Sequence, residues 1–154
     1  PQVNCVKYQG LMAQVANDQA ISSDLAQTIS TLYFSKEIEQ LVNQDPNLAN
    51  IVAQFSAELT SYSGAQLTAL LKFANMAIFK RDTLESVELL TLPTLVAVGL
   101  SGYLRTALES YLMHDCIDGS QLLHIEQAGH LANIEKPAIF NQHLVDFLSK
   151  VNFN

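Results

Sequence analysis

At Pro93 the periodicity of this chain changes, and that change restricts the fold to helices followed by a small parallel sheet. From Leu11 to about Arg81 the apolar spacing is helical and breakers are few. Leu25, Ile29 and Leu32 share one face behind Ser22 or Ser23 as N-cap. Asp45 and Pro46 then open a helix, because a proline in the first turn loses no hydrogen bond that the helix needs. Leu48, Ile51, Val52, Phe55 and Leu59 form its stripe, and Ser63 and Gly64 end it. The next helix, expected over Ala65 to Lys80, carries Leu67, Leu70, Leu71, Ala74 and Ile78 on one side and Phe73, Met76 and Phe79 on others. An apolar surface that runs nearly all round predicts cover on more than one face.

After Pro93, Thr94 to Val98 is a short apolar β-rich run bounded by Pro and Gly, the pattern of a strand buried on both faces. Leu104, Ala107, Leu108, Tyr111 and Leu112 space as a helix, and a second strand is expected over Gln121 to Glu126. Strand, helix, strand is a parallel crossover unit. A last helix follows Pro137, with Phe140, Leu144, Phe147, Leu148 and Val151 set to pack on the sheet. The expected division is a helical region over 1–88 and a strand-helix-strand-helix region over 89–154. Two parallel strands are not a finished sheet, so further strands must come from elsewhere, either a missing N-terminal half or a second copy of the chain. A start at Pro1 with no initiator methionine fits a truncated or processed polypeptide.

Charge narrows the partners. A net charge of −7, with 8 Lys and Arg scattered singly, repels a phosphate backbone, so nucleic acid is not expected. Apolar runs are broken well short of a membrane span, and no signal-peptide pattern opens the chain. Cys5 and Cys116 stand far apart without CxxC spacing, which suggests neither a zinc site nor a disulfide framework and is compatible with the cytoplasm. The histidines lack metal-ligand spacing and there is no glycine-rich phosphate cradle, so no metal or nucleotide cofactor is implied.

Leu92 to Leu148 resembles the C-terminal third of the α/β-hydrolases. The pieces that carry the likeness are LPTLVAVG at Leu92 to Gly99, the linking helix, and GSQLLHIEQAGHLANIEKPAIFNQHLVDFL at Gly119 to Leu148. Upstream, the helical run ending KRDTLESVELLTLPTLV is similar to the lid of the esterase, enol-lactonase and C-C hydrolase branch. The resemblance implies an α/β fold: the C-terminal part of an α/β-hydrolase, with parallel strands and flanking helices, preceded by a helical lid. It also implies a serine hydrolase acting on a small apolar ester, lactone or related carbonyl compound.

Within that resemblance His130 corresponds to the catalytic histidine. It follows a parallel strand at the sheet edge where α/β folds place ligands, and Gly129 permits a tight turn before it. A group titrating near neutrality suits the transfer of a proton from a serine and on to the leaving group. His114, His124 and His143 lack that context. His143 falls on or near the buried face of its helix.

Two features depart from the family. No GxSxG turn occurs, and the nearest approach, GLSGY at Gly99 to Tyr103, aligns with the acid loop instead of the nucleophile turn, which leaves Ser101 a poor nucleophile. The position where the family carries its aspartate is Gly102. Asp115, Asp118 and Glu109 are close in sequence but read as solvated charges. A non-catalytic homologue or fragment serving binding or assembly is therefore the alternative. If Leu71, Phe73, Met76 and Phe79 line a lid cavity, the substrate is largely apolar.

Overall fold

Two of the helices begin where a side-chain cap dictates. Asp45 takes an extended conformation, and its carboxylate accepts the amides of Asn47 and Leu48 at 2.9 and 3.2 Å, two donors that the first turn leaves orphaned. Pro46 occupies the first turn behind it. The hydroxyl of Ser22 accepts the Leu25 amide, which makes Ser22 the residue that starts the second helix. The computed structural model describes residues 2–78, 84–104 and 107–151, with side chains over 6–76, 86–104 and 107–151.

The order is α1 (Gln2–Asp18), α2 (Ser23–Tyr33), α3 (Ile38–Gln44), α4 (Pro46–Ser61), α5 (Gly64–Ile78), α6 (Leu84–Val87), β1 (Leu95–Gly99), α7 (Ala107–Cys116), β2 (Gln121–Ile125), α8 (Ala132–Glu135) and α9 (Pro137–Lys150). The chain divides into two compact units. One comprises Pro1–Leu32 and Ile38–Arg81, the other Tyr33–Glu37 and Asp82–Asn154.

In the helical unit α1 packs on α5 and α3 on α4. Val15, Ala26, Ile29, Leu32, Leu67 and Ala74 are buried there. The hydroxyls of Ser30 and Ser56 meet at 2.8 Å, so the buried Ser30 has a partner. The all-round cover expected for α5 is not found: Leu67 and Ala74 are buried, while Phe73 and Met76 stand 68% and 71% exposed. The side chains of Ile78, Phe79 and Cys5 lie outside the described residues. Among the described residues no helix is long and apolar enough to cross a membrane.

In the second unit β1 and β2 pair in parallel, with Val96 opposite Leu122 and Val98 opposite His124. Side chains alternate across the sheet. Leu123 and Ile125 therefore point to one face, where they pack with Ala128, Ala132 and Phe140 of α9, and their burial contributes roughly 1.5–3 kcal/mol each. His124 and the buried Val96 and Val98 point to the other face. There Tyr111 of α7 meets the His124 ring edge-on, with centroids 5.4 Å apart. The crossover helix thus covers one face and the terminal helix the other. The strands are not buried on both sides as their composition predicts: Ala97 and His124 are exposed. The α7 stripe is also open, with Leu108 at 57% and Leu112 at 44%.

Candidate functional site

β2 ends at Ile125, and the next four residues turn the chain sharply. Gln127 takes a φ of 51°, which reverses the direction and leads through Ala128 and Gly129 to His130. His130 is exposed. Its position just past the C-terminal end of a parallel strand is the one the sequence predicts, where such sheets collect ligands.

The backbone on both sides of His130 is pinned. The Gly129 amide donates to Oε2 of Glu135 at 2.6 Å, and the Leu131 amide donates to the carbonyl of Tyr33 at 3.1 Å. The second oxygen of Glu135, Oε1, accepts the Ser35 amide at 2.8 Å. Glu135 is itself buried at 6% exposure, so a charged group sits in the interior with both oxygens engaged. The Tyr33 ring lies edge-on to the His130 imidazole, with centroids 5.9 Å apart.

The Tyr33–Glu37 segment is thus part of the histidine's surroundings. Ser35 bridges Gly102 in antiparallel sense, and the Lys36 amide donates to the Ser101 carbonyl at 3.1 Å. The end of β1 joins the same cluster, because the Leu100 and Ser101 amides donate to the Ile125 and Ala128 carbonyls at 3.0 and 2.9 Å. Two glycines permit this approach of three backbone segments. A Cβ on Gly129 would lie 2.5 Å from the Ser35 nitrogen, and one on Gly99 would lie 2.5 Å from the Ala128 oxygen. The turn-forming role expected of Gly129 is corrected accordingly. Its φ is not positive, and what it supplies is room for the 34–35 backbone.

Ser101, Gly102, Gly129 and His130 are brought together. A Cβ at Gly102 would lie 3.5 Å from the His130 amide nitrogen, so this position adjoins the histidine loop while offering it no carboxylate. Ser101 does not occupy a nucleophile elbow. Its amide and carbonyl are both tied to neighbouring segments. Asp115 and Asp118 are exposed, at the end of α7 and just beyond it.

The other histidines have structural partners or face solvent. The Ser120 hydroxyl lies 2.6 Å from Nδ1 of His114 and 3.1 Å from the His114 carbonyl oxygen, so one serine side chain meets both the ring and the backbone of that histidine. That pair sits at the end of α7. His143 is exposed on α9, not on a buried face. Among the described residues no group of three or more His, Cys, Asp and Glu could hold a metal ion.

Sequence reasoning missed Glu135 and the Tyr33–Glu37 segment. The signal for Glu135 was an acidic residue between Ala132 and Pro137 in a run otherwise set to pack against the sheet. No comparable signal marked the segment, because its partners, from Ser101 to Glu135, are far away in sequence.

No family model matches the chain, and no curated protein matches it. Solved structures do. An esterase from Thermogutta terrifontis superposes with a TM-score of 0.74 at 19% identity, over 97% of this chain and 51% of its own. MGS-M2, an alpha/beta hydrolase enzyme from a Medee basin deep-sea metagenome library, matches at 0.72 and 16% identity, over 100% of this chain and 54% of its own. The fold is that of the α/β-hydrolases. The enol-lactonase from Burkholderia xenovorans LB400 shares it at a TM-score of 0.70 and 19% identity, over 90% of this chain and 49% of its own. The chain therefore spans about half the length of the α/β-hydrolase structures it matches.

Proposed function

We propose that this chain is the helical lid, over 1–88, and the C-terminal core, over 89–154, of a serine hydrolase acting on a small, largely apolar ester, lactone or related carbonyl compound. His130 is its general base. The observation that carries this reading is the placement of an exposed histidine past the end of a parallel strand, with both flanking amides pinned. A histidine at the ligand-collecting end of a strand, on a fixed backbone, suits proton transfer. The solved structures with this fold include an esterase and an enol-lactonase, which supports carbonyl chemistry as the reaction class. In this reading the nucleophile and the oxyanion-hole donors come from residues outside this segment. The imidazole takes the serine proton as the hydroxyl attacks and returns it to the leaving group.

A second reading is favoured by Gly102. Where the resemblance places the acid, this chain has no side chain, and a non-catalytic homologue that binds or assembles through its hydrolase-like surface would tolerate that.

The experiment is hydrolysis of p-nitrophenyl butyrate by the protein isolated from its natural source, with His130→Ala expressed in the same form. Turnover that falls at least about a thousandfold in the variant supports the hydrolase. Turnover that survives it unchanged removes His130 from the mechanism, and no turnover on any short ester or lactone leaves the binding reading standing.

A further inference from the structure

We infer that Glu135 is a positioning residue for His130, acting as a two-point acceptor that fixes the loop carrying the imidazole. Its catalytic meaning rests on the proposed role of His130, whereas its structural content does not.

One oxygen of Glu135 holds the amide of Gly129, the residue directly before His130. The other holds the amide of Ser35, two residues after Tyr33. Tyr33 in turn supplies the carbonyl that accepts the Leu131 amide, directly after His130, and the ring that meets the imidazole edge-on. A single carboxylate therefore governs both sides of the histidine, one side directly and the other through the 33–35 backbone. The arrangement needs a carboxylate in particular. Both incoming groups are N–H donors, and an amide side chain would present its own NH₂ to one of them. It also needs the length of glutamate, because α8 is a single turn and aspartate would fall about one carbon–carbon bond short of two donors on different segments.

The step performed is geometric and moves no proton. A general base must keep its ring nitrogen within hydrogen-bond reach of the group it deprotonates, and small displacements reduce the rate steeply. Both Glu135 oxygens are engaged by backbone amides. Glu135 sets where the His130 backbone sits.

The test is NMR on the full-length natural protein with no substrate present. In the unsubstituted protein the Ser35, Gly129 and Leu131 amides should exchange slowly, and the Tyr33 and His130 ring protons should show mutual cross-relaxation. Exchange of Gly129 and Ser35 as fast as free turn amides overturns the inference at once, before any variant is made. In Glu135→Gln those amides should exchange about tenfold to a hundredfold faster, and the Tyr33–His130 cross-relaxation should fade. The Leu123 and Ile125 methyl signals should stay in place. Unchanged ring contacts in a folded Glu135→Gln would overturn the positioning role. If Glu135→Gln does not fold, Glu135→Asp carries the same comparison. Should the hydrolase reading fail while these signatures hold, Glu135 still orders the loop; should they fail while hydrolysis persists, His130 is positioned by other contacts.

Discussion

The buried carboxylate of Glu135 accepts the amide of Gly129 at 2.6 Å, so a charge six residues downstream fixes the backbone immediately before His130. Hydrogen bonds to a buried charged group are worth about 1.5–3 kcal/mol each, and leaving one partner unsatisfied adds a desolvation penalty. Glu135→Gln is expected to lower the free energy of unfolding by about 2–3 kcal/mol, read from urea titration. A change under about half a kilocalorie would mean that the two amides find other acceptors at no penalty.

Glycine substitutions should separate by their surroundings. Gly99→Ala and Gly129→Ala each force a methyl to within 2.5 Å of backbone atoms, and each should lose about 3 kcal/mol or more, or fail to accumulate as folded protein. Gly10 lies inside α1, where an added methyl would meet nothing within 4 Å, and Gly10→Ala should raise stability by up to about 1 kcal/mol. Thermal unfolding of the three variants checks the order, and a stabilised Gly99→Ala would refute the close approach.

The Ser35 side chain gives a prediction of opposite sign to most core changes. Its hydroxyl is fully buried and has no hydrogen-bond partner among the described residues, while its amide is held by Glu135. Ser35→Ala keeps the amide and removes the orphaned oxygen, and should stabilise the protein by about 1 kcal/mol. Calorimetry showing a clear loss would reveal a partner for that oxygen.

Asp45 acts on the helical unit alone. Asp45→Ala removes the cap from α4 and should cost about 1 kcal/mol, whereas Asp45→Asn, which caps as well, should cost little. Equal losses in both would assign the effect to charge instead of capping.

The parts of this fold that obey local rules were readable in the residues. The Asp45–Pro46 start, the two strands around a crossover helix and the Pro137 helix follow from caps and periodicity, and the two strands and the two proline starts agree with expectation to within one or two residues. His130 was readable as a position just beyond a strand because the strand and the GH pair are close in sequence. The surroundings of His130 were not. Phe34 and Ser35 look like an ordinary break between two helical runs, and nothing local announces that their backbone meets Gly129 and Glu135. Composition also misjudged burial: Val96 and Leu123 behave as core, but Ala97, Leu108 and Leu112 remain open because burial depends on what lies opposite, which a single chain's periodicity does not encode.

The assignment of Tyr33–Glu37 to the same compact unit as Asp82–Asn154 means that no single cut along the chain separates the two units intact. A recombinant piece beginning at residue 82 would lack the acceptor of the Leu131 amide and one of the two donors to Glu135, and would leave Gly129 facing the gap that five missing residues had filled. The histidine loop is therefore not portable with its own strand and helix. Exchange of the helical region between relatives, by engineering or by recombination, would have to carry those five residues as a matched part of the recipient.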